Sequence, residues 1–549
     1  MLINTYLRYL AFSGSMLFIF TALTAKAQFV PENPQHEIYP FLYRQAQKGN
    51  ISLNDLIQPI SRKEIAAHLR ELQKSPDRLS PVELKELAFY KLEYSEFDSV
   101  ARDSLTFFKK DQAGRLRFLS LKKDGFLLNG DPSLSLNNMT GTNKQVFRKG
   151  NGLNFWGHAG SRVSFYFSFQ DYTESGNGID SLRDFTSMPG VVKTQGLNPE
   201  KLSYSELKAG LAYTWKNGSV AVGKDQFIWG YGANGRPVFS DKAPTYPYIR
   251  LDYQPLKWLS FNYTHGSLQS GIIDSAKSYH KGNSVFGTTR EVFTPKFIAS
   301  HSLNFYPVKG LSLSLGESMV YSDKLQIAYL VPVMFFKAFD HYQSRYNINA
   351  GSNGQFFFQA SSRDHISNTH FYATLFIDEI RLTKLFSRIE SRNQIGYNLG
   401  VSVTDFILPY LTIGTEYTRI NPFVYQNLIP TQNFSSNDYS LGDWMGNNAD
   451  RWLAFVNYTP LARLKTGLMV QKIRKGGPGT LEQQYFQQPQ PKFLFDKQKE
   501  NLMLRLSVNY EIINNLQIKS ALLITTEESI DLPSPAKTRE FQLSVSFGL

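Results

Sequence analysis

Between Glu540 and Leu549 the chain alternates strictly, with Phe541, Leu543, Val545, Phe547 and Leu549 on one face and Glu540, Gln542, Ser544, Ser546 and Gly548 on the other. A period of two predicts a strand with one apolar and one polar side. The same pattern recurs at Val163, Phe165, Phe167 and Phe169 against Ser164, Tyr166, Ser168 and Gln170, and from Leu502 to Tyr510 against Arg505, Asn509 and Glu511. A strand that ends a chain with its apolar side uncovered needs lipid or a closed sheet, so these segments predict the wall of an outer-membrane barrel.

The connections order the strands. Short turns carrying Gly, Pro or Asn fall at Gly160-Ser161, Lys216-Asn217-Gly218, Pro255-Leu256-Lys257, Pro307 to Gly310, Leu408-Pro409, Pro460-Leu461 and Ile513-Asn514-Asn515. They alternate with long polar stretches at about 173–203, 228–247, 265–295, 421–450 and 476–499. Barrels place short turns in the periplasm and long loops outside. Seven hairpins, a first strand near Arg115 to Asn129, the terminal strand, and two more from Gln326 to Phe336 and Phe371 to Ile380 predict an all-β transmembrane barrel of about 18 antiparallel strands. Residues 337–369 are left as a long periplasmic or lumen-filling segment.

A different period precedes the barrel. From Ile38 to about Phe97 the pattern is helical: Ser61-Arg62-Lys63-Glu64 and Ser80-Pro81-Val82-Glu83 both match the capping box. Ile65, Leu69 and Leu72 line one helix, Val82, Leu84, Leu87, Tyr90 and Tyr94 the next, and Tyr39 to Tyr43 adds a shorter apolar segment. Two or three such helices form too small a core to stand alone, so the bundle should dock against or inside the barrel mouth on the periplasmic side, as a plug. Ahead of it, Arg8, the apolar stretch Leu10 to Leu23 and Ala25-Lys26-Ala27 predict a cleaved signal peptide. The expected organisation is 1–27 signal peptide, 28–110 helical plug segment and 111–549 barrel.

Composition narrows the class. Aromatics make up 14% of the chain, with 42 Phe and 30 Tyr, yet mean hydropathy is −0.31. That combination fits strands with a wet lumen on one side and aromatic girdles on the other. The absence of Cys removes disulfides, thiolate metal sites and thiol nucleophiles. The charge of +13, or 57 basic against 46 acidic residues once Arg8 and Lys26 leave, is scattered along the chain. No nucleic-acid face is implied, whereas lipopolysaccharide or an acidic polysaccharide accounts for it.

Catalytic patterns do not form. There is no H-E-x-x-H, G-x-S-x-G or P-loop, Gly316-Glu317-Ser318 lacks a trailing Gly, and Gly230 to Gly235 is followed by no helix. The chain is expected to be non-enzymatic, with no cofactor and no metal. Two predicted external loops instead combine aromatic plates with amide and charged groups, a mixture suited to stacking on a sugar's C–H face while pairing its hydroxyls. From them we take Asp225, Trp229, Tyr231, Arg236 and Tyr246, then Tyr425, Asp443, Trp444, Asn447 and Asp450, as candidate ligand-binding residues. Any one of these rings also fits a girdle or loop-packing role.

The chain also carries Pro59-Ile60-Ser61-Arg62-Lys63-Glu64-Ile65-Ala66, Gly223-Lys224-Asp225-Gln226 with Trp229-Gly230-Tyr231-Gly232, Phe376-Ile377-Asp378-Glu379-Ile380, and Leu441 to Asp450. On these segments it resembles the Wzi capsule-assembly family of outer-membrane proteins, including the RemB relatives of gliding bacteria. The resemblance implies an 18-stranded barrel with a periplasmic helical bundle, acting as a lectin for capsular or other surface polysaccharide. It departs from the common barrel ending by closing on Leu549, with Phe547 two residues earlier. Expected partners are surface polysaccharide, outer-membrane lipid and lipopolysaccharide, and a periplasmic protein at the bundle. An accessory role in gliding or adhesion machinery and a porin-like channel remain alternative readings.

Overall fold

The structure is a computed structural model that describes residues 29–97, 103–192, 200–282, 288–346, 351–379, 387 and 392–548. The segment expected to be a signal peptide and Leu549 lie outside the described residues. A closed antiparallel barrel dominates the chain. Its strands are β1 (Phe126–Gly141), β2 (Lys144–Ala159), β3 (Val163–Ser175), β4 (Lys201–Trp215), β5 (Gly218–Asp225) and β6 (Tyr246–Leu256). They continue as β7 (Leu259–Ile273), β8 (Phe293–Phe305), β9 (Leu311–Ser322), β10 (Asn353–Arg363), β11 (Thr369–Glu379) and β12 (Gln394–Thr404). The wall is completed by β13 (Leu411–Ile420), β14 (Ala449–Leu461), β15 (Leu464–Lys475), β16 (Lys499–Ile513), β17 (Leu516–Ser529) and β18 (Ala536–Phe547). β18 closes on β1, from Glu540 opposite Gly141 to Phe547 opposite Leu134.

The strand number agrees with the sequence expectation, but its membership differs at two places. Gln326 to Phe336 is not a strand. Pro332 removes a ladder donor, and the run folds as a 3-10 turn at Ile327–Leu330 leading to a helix at Phe336–Tyr346. The strand in this region is β10, inside the stretch assigned to a long connection, and its polar positions Asn353, Gln355, Gln359, Ser361 and Arg363 are buried toward the lumen. Three consecutive phenylalanines, Phe356 to Phe358, obscure that alternation. At the start of the wall, Arg115 to Asn129 holds a turn at Asp124-Gly125, both with positive φ. Asp-Gly between extended runs is the hairpin signal that fixes this turn. Leu116–Lys123 therefore folds back onto the lower part of β1, Leu119 opposite Gly130, and pairs on its other side with Ser104–Lys110.

Alternate residues on the outer face are exposed and apolar, among them Leu134, Leu153, Phe167, Phe169, Leu211, Leu315, Phe358, Leu399, Leu506 and Val545. This continuous belt is what a barrel presents to lipid. No described helix is long and apolar enough to cross a membrane.

Among the described residues, three α-helices precede the wall: α1 (Ile38–Gln47), α2 (Arg62–Gln73) and α3 (Pro81–Glu93). Ser80 and Glu83 form the full reciprocal box, with bonds of 2.7 and 3.3 Å. At Ser61 only the hydroxyl half forms, accepting from the Glu64 amide at 3.1 Å. Ile65, Leu69 and Leu72 are buried as expected, but Leu84 is exposed, and α3 instead buries Glu83, Glu86 and Glu93 beside Leu87 and Tyr90. The reason is its neighbourhood. Glu83 meets Arg44 and Lys48, and Glu93 meets Arg62 at 2.9 Å and also Arg115.

The helical unit covers the short-turn mouth. Arg44 reaches Asp405, Gln47 donates to the Asn368 carbonyl at 2.8 Å, Lys309 donates to Gly49, and His36 contacts Asn515 at 2.9 Å. Four separate turns of the wall are thus tied to one helical cap.

Candidate functional site

The first candidate loop, residues 226–245, does not stand away from the barrel. It turns into the lumen, where Ile228 and Trp229 pair with Gln58 and Ile57 of the helical unit as a two-residue antiparallel ladder. The Gly230 amide donates to the Leu56 carbonyl at 2.7 Å. Trp229 is 1% exposed, wedged edge-on between Phe239 and Phe357. Tyr231 is buried too, its hydroxyl donating to Asp55, whose carboxylate also takes both arms of Arg363 from β10 at 2.8 Å each. A fork-on-carboxylate pair of this kind is the strongest ionic geometry available. Loop, wall and helical unit therefore meet at Asp55.

The second loop, residues 421–448, interlocks with the first. The Tyr425 hydroxyl donates to the Pro237 carbonyl at 2.6 Å and accepts from the Asp443 amide at 3.2 Å, while Trp444 Nε1 donates to the Asn234 carbonyl at 2.7 Å. Asp443 is fully buried against Arg451, 3.0 Å away, which also approaches Glu416 at 3.4 Å. Asn447 donates to the Pro478 carbonyl at 2.9 Å. Arg236 is half-buried, its Nε donating to the Gly230 carbonyl at 2.9 Å. The two loops named from sequence are brought together, but mostly by burying each other.

Asp450 belongs elsewhere. Its neighbour Arg451 points into the lumen, so strand alternation turns Asp450 to the outer face, where Tyr417 donates to it at 3.0 Å and Arg474 pairs with it at 2.5 Å. Tyr246 is buried under Phe227, 5.6 Å between centroids. Trp229, Tyr231 and Tyr425 are thus packing residues of the inward loops, and Tyr246 of the wall beneath them, as their burial leaves no ring face for a ligand.

Asp225 and Arg236 are the candidates that remain partly accessible, Asp225 15% exposed on the lumen side of β5. Tyr166 of β3 donates to it at 3.0 Å, reaching across β4 because residue 210 is glycine: a Cβ there would lie 2.3 Å from the Tyr166 ring. Tyr248 completes the group, 3.2 Å from the Tyr166 hydroxyl. Further along the same lumen face, Lys208 and Glu206 of β4 are 26% and 34% exposed. Tyr172 and Tyr204 stack at 5.2 Å and 27°, with the Arg148 guanidinium 5.8 Å from the Tyr172 ring.

These residues form a strip on one side of the lumen only. Inward residues of β9 and β10, such as Ser314, Ser318, Gln355 and Gln359, are buried under the inward loops. On the same open side, beyond the seam where β18 closes on β1, inward Arg505 on β16 is exposed and Gln542 and Ser544 on β18 are half-buried. The loops thus fill the β6–β14 half of the lumen and leave a polar, aromatic-bearing half beside β2–β5. The sequence carries the signal, since Tyr166 and Gln170 fall on the polar face of their strand, but the same polar face lines any wet lumen.

Residues 135–533 match the family model of the capsule assembly protein Wzi, which spans more than half of the chain. The chain belongs to the Wzi capsule-assembly family. The fold of this Wzi-family barrel resembles the solved Wzi of Escherichia coli, with a TM-score of 0.58, 12% identity, and coverage of 95% of this chain and 100% of that one. That protein is described as an outer-membrane protein involved in group 1 capsule assembly and a carbohydrate-binding β-barrel. OprD of Pseudomonas aeruginosa is more distant, with a TM-score of 0.43, 11% identity, and coverage of 76% of this chain and 92% of that one. No curated protein matches this chain. Membership of the family places this barrel in the outer membrane with a role in capsule assembly.

Proposed function

We propose that this Wzi-family barrel is a non-catalytic attachment protein that holds capsular or other surface polysaccharide through the half-open lumen beside β2–β5. The observation that carries the reading is the half-buried lumen strip itself: Tyr172 and Tyr204, stacked on each other between Arg148 and Arg183, supply aromatic edges, and Arg148, Glu206, Lys208 and Asp225 supply donors and acceptors around them. Carbohydrate is the ligand class that uses both together. The carbohydrate binding ascribed to the Escherichia coli protein supports the same class. Arg236, Trp444 and Asn447 belong to the inward loops and, in this reading, shape the floor of the site, while Asp443 holds that floor through Arg451.

In the proposed orientation the long loops face outward and the helical unit faces the periplasm, the usual disposition of short turns and long loops. The experiment is capsule retention on cells carrying the Tyr172→Ala, Tyr204→Ala double variant at native outer-membrane levels. Loss of cell-bound polysaccharide with export unchanged is expected; full retention would remove the site.

A further inference from the structure

The segment that imitates a strand in the sequence, 325–336, lies on the outside of the wall. There it covers outward positions of β7, β8 and β9. Tyr329, Met334 and Phe336 pack with Phe339 over Tyr263, Phe297, Ala299, Met319 and Tyr321. The Tyr321 and Tyr329 rings are 4.7 Å apart, and Phe336 lies 4.5 Å from His301.

Polar side chains on the outer wall meet the backbone of this flap. The Glu317 carboxylate accepts from the amides of Phe336 at 2.5 Å and Lys337 at 3.4 Å, closing the start of the Phe336–Tyr346 helix. Its other neighbour is His301, whose Nε2 is 3.2 Å away and whose Nδ1 contacts the Pro332 carbonyl at 2.9 Å. The Tyr263 hydroxyl donates to the Tyr329 carbonyl at 2.8 Å. Within the flap, the amides of Tyr329, Val331 and Met334 bond to carbonyls three residues back, and Pro332 has no donor to satisfy. Non-helical backbone survives at a lipid boundary only when its polar groups are paired in this way.

The opposite edge is apolar and uncovered by the described residues. Ile327 is 79% exposed, Val333 80% and Phe335 56%, with Leu325 and Val331 also exposed. Phe335 contacts Phe356, centroids 6.3 Å apart, and Phe356 is the outward residue directly above Phe358 of the exposed belt. The edge thus continues the lipid-facing belt without a break.

We propose that residues 325–336 form a re-entrant flap whose outward edge contacts the acyl chains of the outer membrane, docked on the wall by Tyr263, His301 and Glu317. The second apolar face of this run, which a wall strand would turn to the lumen, is here turned to lipid. The proposal is independent of any polysaccharide site.

Because the chain has no Cys, single nitroxide labels at Ile327→Cys and Val333→Cys can be read in the full protein in phospholipid vesicles. Leu399→Cys on the belt serves as the lipid reference and Leu428→Cys on the 421–448 loop as the water reference. Collision with oxygen relative to a water-soluble nickel chelate should match Leu399 and exceed Leu428 several-fold. Values matching Leu428 would overturn the proposal, as would dipolar broadening that grows with protein density, since a second copy would then cover the edge. Heat-modifiable migration on gels confirms that each labelled barrel has folded.

Discussion

At Asp55 one carboxylate joins three parts of the chain that lie far apart in sequence: the helical unit, Arg363 on the wall and Tyr231 on the inward loop. All three partners are buried. Removing one member of a buried pair strands the other's charge, which costs about 3–5 kcal/mol. Arg363→Ala should therefore loosen both the loop and the helical unit while the wall persists. Limited proteolysis checks this: cleavage within 48–60 and 226–245 should appear in the variant and not in the parent protein. The ten residues singled out from sequence show why composition alone misleads at this scale. A Trp or Tyr beside Gly and Asp has the same composition whether its ring faces solvent or another loop, and only the inward turn of 226–245 distinguishes them.

Among the elements, α3 carries the clearest pH dependence. Burial raises the Glu86 carboxyl from 4.5 to about 7, against the pull of Lys465, and Glu64 on α2 is raised by burial to about 7 as well. A carboxyl that is raised in the folded state binds its proton there while the unfolded chain has already released it. Stability contributed in this way is therefore lost as pH rises from 4.5 to about 7. Glu93 runs the other way: burial would raise it, but Arg115 and Arg62 hold it at about 2, so its contribution is lost only as pH falls below 4.5. The helical unit should thus unfold at lower urea at pH 8 than at pH 5, followed by circular dichroism. Glu86→Gln should recover about 2 kcal/mol of the difference at pH 8 and change little at pH 5.

Element boundaries were legible where chemistry was local. The capping sequence at Ser80, the alternation of β3 and β18, and the Pro- and Asn-marked turns all read correctly because their causes lie within a few residues. The flap and β10 exchanged identities for a nonlocal reason. An apolar run packed on the outside of a wall has the same pattern as a buried strand, and a strand whose inward face is Asn, Gln and Ser resembles a loop.

At the scale of the molecule, the lumen is occupied from both ends: the helical unit ties to the short turns, and the first long loop, interlocked with the second, descends to meet it. Their meeting at Trp229 and Asp55 should leave little continuous pore. In planar bilayers the intact protein is expected to conduct far less than an unplugged barrel of 18 strands, and removal of 232–236, the tip of the inward loop, should raise the current only where the helical unit is also loosened by Arg363→Ala. Large, steady single-channel currents from the parent protein would support a channel instead.

The lumen strip, and not the buried tryptophan loop, is proposed to recognise polysaccharide. Equilibrium binding of purified surface polysaccharide to the detergent-solubilised protein tests it most directly, comparing the Asp225→Ala, Tyr204→Ala double variant with the parent. Binding should weaken at least several-fold with the barrel's heat-modifiable migration unchanged; undiminished binding by that folded variant would show that the strip is not the site.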